Sequence, residues 1–123
     1  MLPPPEPRLP RCLRRSYRLD LMAPGQRCLL WLSGRRQPGV HALGRLATAP
    51  EPTADPTRLT VDVELHRLAD PVPRAALLAD PAFAAAEVVR MPAGSNPSWL
   101  SPAALEPVLD HLDPTALRAA GWT

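Results

Sequence analysis

Residues 59–66 read LTVDVELH: Leu59, Val61, Val63 and Leu65 alternate without a break with Thr60, Asp62, Glu64 and His66. Alternation of period two puts the four apolar side chains on one face of an extended chain and the four polar ones on the other. The stretch is therefore an antiparallel strand with one dry and one wet face, not a strand of a parallel sheet buried on both sides. Moving upstream, TAPEPTADPT (48–57) is a polar, Pro-rich surface loop, and Val40 to Ala47 (VHALGRLA) is a second strand. Gly44 in its interior marks a bulge or a close approach of backbone. GRRQPG (34–39) is a turn, Arg27 to Ser33 is a third strand, and Ala23-Pro24-Gly25 is the turn before it.

The opening MLPPPEPRLP has five Pro in ten residues, a density that neither a helix nor a sheet interior accepts, because Pro donates no backbone hydrogen bond. A disordered or extended leader is expected over 1–12, with one domain from 13 to 123. Downstream of His66, the segment PVPRAALLADPAF (71–83) predicts a short helix from Arg74 to Ala79, closed by Asp80-Pro81. EVVRM (87–91) predicts a short strand. Ser101-Pro102 has the N-cap and first-turn residues of a helix whose apolar stripe is Leu105, Val108, Leu109 and Leu112. Pro107 inside it predicts a short or kinked helix, and Asp113-Pro114 starts a last turn or two up to Gly121. Three or four antiparallel strands with one or two helices make an α+β domain that is more β than α at its core.

With 123 residues the chain has room for one modest core and not for two domains. Its aromatics are only Tyr17, Trp31, Phe83, Trp99 and Trp122. All 14 basic residues are Arg and Ile is absent, which reads first as a coding bias. Charge is uneven: residues 1–50 carry +7 and residues 51–123 carry −5, so one positive face is expected, of the kind that meets phosphate or an acidic partner. Cys12 and Cys28 are too few for a disulfide framework and match no metal spacing. They read as reduced thiols in the cytoplasm. No apolar run reaches the ~18 residues of a membrane span, and no secretory signal is present.

Six blocks in order carry a resemblance: GQRCLLWLSG (25–34), GVHALGRLA (39–47), LTVDVEL (59–65), DPVPRAALLADPAF (70–83), EVVRMPAGSNPSWLSP (87–102) and the closing helix. Together they resemble the EVE domains of the PUA-like superfamily, in their bacterial versions, over about Arg14 to Leu112. The resemblance implies a small twisted antiparallel β-barrel flanked by short helices that binds modified bases in DNA or RNA, with several members thought to read methylated or hydroxymethylated cytosine. EVE domains usually open with a strand bearing an aromatic and Asn-Pro. This chain has MLPPPEPRLP there, so a sheet lacking its first strand, with one edge unpaired, is expected.

Holding a base takes a flat apolar surface for its faces and fixed donors or acceptors for its edge. On the strand from Arg27, the residues Arg27, Leu29, Trp31 and Ser33 share one side, so an indole and a hydroxyl, with Gly34 next to them, offer one pocket wall. Trp31 reads equally as the core aromatic of a protein short of aromatics. The second wall is the loop AGSNPSW (93–99), where Ser95, Asn96 (the sole Asn), Ser98 and Trp99 bring edge-reading groups and a ring together; its other reading is an Asn-Pro turn followed by a capping Ser101. Arg27, Arg35 and Arg36 are candidate phosphate contacts, against a solvated turn, with Arg14, Arg15 and Arg18 weaker. His41 and His66 have no partners at metal-ligand spacing, and no metal or other cofactor is expected. Trp122 reads as packing back on the body. The residues assemble no activated nucleophile, carboxylate pair or G-x-S-x-G elbow, which argues against an enzyme. A module for a protein partner or a small ligand is the alternative to a base reader.

Overall fold

The computed structural model describes residues 8–14, 17–90 and 98–123. In chain order they form strand β1 (Arg8–Arg14), a 3-10 helix (Tyr17–Leu21), strands β2 (Arg27–Leu32), β3 (Gly39–Leu46), β4 (Glu51–Pro52) and β5 (Arg58–Pro73), then helices α1 (Arg74–Leu78), α2 (Pro81–Ala84), α3 (Glu87–Arg90), α4 (Pro102–Asp110) and α5 (Pro114–Ala119). All pairings are antiparallel, in the order β1-β5-β3-β2, with β4 also on β5. The class is mixed α+β, as expected. The sheet stays open, with β1 and β2 at its edges.

β5 is the spine. Its alternating segment builds both faces: Leu59, Val61 and Val63 are buried with Leu13, Leu19 and Leu46 on one side. The opposite face meets the helices, where Val40, Leu43, Leu68, Val72, Leu77, Phe83, Val108, Ala120 and Trp122 form the larger core. β3 reaches that core from two positions of opposite parity because a bulge at His41 shifts its register. Trp31 pairs with Val40 and Leu29 with Leu43, so Leu29, Trp31, Val40 and Leu43 all turn to the helices. On its other edge Val40 faces Val72 while Ala42 faces Arg67, so residues 68–71 of β5 lie opposite His41 alone.

Three expectations need correction. Residues 8–12 of the expected leader belong to β1, whose Leu13 is buried, so the edge of β5 that a missing first strand would have left open is paired. Pro10 is tolerated because β1 is an edge strand, where one side of the backbone has no ladder to serve. Glu87–Arg90 is a helical turn and not a strand: Val88 and Val89 both pack against the larger core, which adjacent residues manage on a helix but not on a strand. The loop 48–57 contains the two-residue β4, fixed after it by Asp55, whose carboxylate accepts from the Thr57 amide (2.9 Å) and hydroxyl (2.7 Å). Those two bonds hold the Asp55 carboxyl below its ordinary pKa.

The helices follow their caps. Asp80 accepts from Ala82 N, Ser101 from Ala104 N and Asp113 from Ala116 N, each with Pro in the first turn. Asp80-Pro81, expected as the stop of α1, is thus also the start of α2. α4 runs nine residues with Pro107 inside it. No helix among the described residues is long and apolar enough to cross a membrane.

The C-terminal end of α5 is tied to the sheet. Trp122 N donates to Leu117 O and Gly121 N to Arg118 O, with Gly121 at φ +73°, the closing geometry that favours glycine. This turn sends Trp122 into the core, where its indole N–H donates to Gly44 O at 2.9 Å. Arg27 donates to Trp122 O (3.0 Å) and lies 5.3 Å from the indole centroid. Arg45 donates to Gly121 O through Nε (3.1 Å) and Nη2 and to Gly25 O through Nη1. Gly44 is required by close approach: a Cβ there would lie 1.6 Å from Glu64 O.

Candidate functional site

The 98–101 segment precedes α4, and its backbone is fastened at both ends of the Trp99-Ser101 step. Trp99 N donates to Glu87 Oε1 (3.2 Å), and Ser101 is spent on capping α4. Fixing the main chain leaves Trp99 outside, 62% exposed, whereas Phe83 and Trp122 are buried and Trp31 is half-buried. Beside it lies a groove of about 270 Å³ lined by Ala85, Ala86, Glu87, Arg90, Trp99 and Ser101. The small side chains of Ala85 and Ala86 keep the groove open. Arg90 is exposed at the last turn of α3, and its guanidinium has no hydrogen bond or ion pair among the described residues. A flat ring, a guanidinium and a carboxylate around one groove can take a planar ligand by stacking while offering donors and an acceptor to its edge.

The first expected wall is arranged differently. Trp31 is half-buried on the helix-facing side of β2, with its ring 5.5 Å from Phe83 and tilted 41°. It supports α2, the helix that leads into Ala85 and Ala86, and acts on the groove through that support. Ser33, Gly34, Arg35 and Arg36 are exposed on the loop after β2, which ends at Leu32. Of the three phosphate candidates, Arg27 is committed to Trp122, whereas Arg35 and Arg36 are free of hydrogen bonds and ion pairs among the described residues. Arg74 joins them, since its backbone N–H donates to Pro38 O at the foot of the same loop (2.8 Å).

Of the second wall, Ser98 is exposed and Trp99 flanks the groove. Ser95 and Asn96 lie outside the described residues. Sequence reasoning missed Glu87 and Arg90, because the β-branched Val88-Val89 suggested a strand and nothing in the spacing linked Glu87 to a backbone amide twelve residues on. Neither cysteine adjoins this groove: Cys12 is exposed on β1, and burial pushes the Cys28 thiol up to about 11. No protein-family model matches the chain, and neither a curated protein nor a solved structure matches it.

Proposed function

We propose that this chain is a non-catalytic base-binding module of the EVE type, working in the cytoplasm, which holds a nucleobase of DNA or RNA, a modified one by preference, against Trp99. In this reading the open sheet is the family's barrel left unclosed. One observation carries the proposal: an indole 62% exposed beside an open groove, with its backbone tied down by Glu87. Stacking on such a ring is available to every base, and it supplies roughly 1–3 kcal/mol per base in single-strand binders. Arg90 supplies donors for the base edge, beside the Glu87 carboxylate that holds the Trp99 backbone. Arg35, Arg36 and Arg74, on and beside the β2–β3 loop, supply the phosphate contacts.

The test is a titration at several salt concentrations of short DNA and RNA oligonucleotides carrying cytosine, methylcytosine, hydroxymethylcytosine, adenine or methyladenine. The expected result is preference for one modified base, affinity that falls steeply with salt, and a loss of roughly 5- to 100-fold in Trp99→Ala at unchanged melting temperature. Uniform absence of binding, or binding that ignores Trp99→Ala, overturns the reading. Salt-insensitive binding of a protein or small molecule would install the interaction-module alternative in its place.

A further inference from the structure

A second groove, of about 240 Å³, lies where the end of α5 meets the sheet, lined by Arg45, Glu64, His66, Arg118, Ala119, Ala120 and Gly121. Three elements build it. Glu64 and His66 are two apart on β5 and so share a face, the helix-facing one, and Arg45 is the β3 partner of Glu64. Arg118 comes from the last turn of α5. The space between them exists because the turn that ends α5 passes through Ala119, Ala120 and Gly121, which project little or nothing into it.

Arg45 gives three of its five N–H donors to the carbonyls of Gly121 and Gly25, so it contributes chiefly its charge. The side chains of Glu64, His66 and Arg118 make no hydrogen bond or ion pair among the described residues. A guanidinium, an imidazole and a carboxylate thus line one groove with their bonding capacity unused. Two arginines against one glutamate give the groove one net positive formal charge. A bare anion would meet Glu64, and a bare cation would meet the two arginines. The complementary ligand carries both signs and one net negative charge. A phosphomonoester, close to −2 near neutral pH, together with one ammonium has that balance, whereas a carboxylate with one ammonium is neutral.

We propose that this groove binds a small phosphomonoester that also bears an ammonium group, its phosphate held by Arg118 and His66 in the field of Arg45, and its ammonium by Glu64. The site is separate from the Trp99 groove and shares no residue with it.

Calorimetric titration of the full chain at low salt with O-phosphoethanolamine, inorganic phosphate and ethanolamine tests it. O-Phosphoethanolamine is expected to bind at least roughly tenfold more tightly than either half-ligand, the scale of one charge-assisted hydrogen bond. Arg118→Gln is expected to weaken both phosphate probes by a similar factor. Glu64→Gln is expected to abolish the preference for O-phosphoethanolamine over phosphate without weakening phosphate. Both side chains are exposed, so neither variant threatens folding. Equal affinity for the two phosphate probes, a preference that survives Glu64→Gln, or no saturable binding overturns the proposal. Trp99→Ala is expected to leave these affinities unchanged, so failure here and failure of the base-binding reading are told apart.

Discussion

Trp122 and Trp99 place the same side chain in opposite circumstances, 4% and 62% exposed. At Trp122 every polar group around the ring is answered: the indole N–H has Gly44 O, the Trp122 carbonyl has Arg27, and the preceding carbonyl has Arg45. At Trp99 the backbone N–H is answered by Glu87 while the ring is left to solvent. The difference separates two uses of one residue type. The buried ring joins α5 to β2 and β3, and the exposed ring contributes little to folding, leaving it available to a ligand.

Substituting both positions breaks the comparison most directly. Trp122→Ala is expected to cost about 3–5 kcal/mol in urea denaturation, because it removes a core aromatic together with its hydrogen bond to Gly44 O. Trp99→Ala is expected to stay within about 0.5 kcal/mol. Equal losses would show that Trp99 is structural and would remove it from the base-binding site.

A smaller effect sharpens the account of the clamp. Arg45→Met keeps most of the stem but removes the donors to Gly121 O and Gly25 O, and a loss of about 0.5–1.5 kcal/mol is expected, because water can take over these exposed acceptors. Oligonucleotide affinity at the Trp99 groove should not change. A fall in that affinity would mean that the two ends of the molecule are coupled.

The smallest effect concerns the thiols. Burial raises the pKa of the Cys28 thiol from its ordinary value to about 11. The folded state therefore favours the protonated thiol, and this contribution is intact below pH 9 and is lost as pH rises toward about 11. Stability measured over that window should decline less in Cys28→Ala than in the parent chain. At pH 8 a thiol-specific reagent should label exposed Cys12 before Cys28; the reverse order would contradict the burial of Cys28.

What could be read from the chain followed from rules that act locally. Alternation in residues 59–66 located the spine strand, Ser101-Pro102 and Asp113-Pro114 located two helix starts, and Gly44 announced a close approach of backbone, which Glu64 O makes. The unread parts depend on distant partners. β1 forms in spite of its Pro content because the edge of β5 is there to pair with. Glu87–Arg90 turns helical because both valines have a core to meet. The bulge at His41, which sets Trp31 against Phe83 and out of the pocket wall expected for it, arises from pairing with β2 and β5 together. The groove beside Trp99 draws residues from α3 and from the approach to α4, a juxtaposition that no periodicity encodes.

The burial of Trp122 also has an optical consequence. Of three tryptophans, one is enclosed, Trp31 is partly covered and Trp99 faces water. Emission from the enclosed indole should move to longer wavelength only when the chain unfolds, whereas emission from the wet one should dim when a planar molecule stacks on it. One fluorescence spectrum of the unlabelled protein should thus report folding and occupancy as two separable signals.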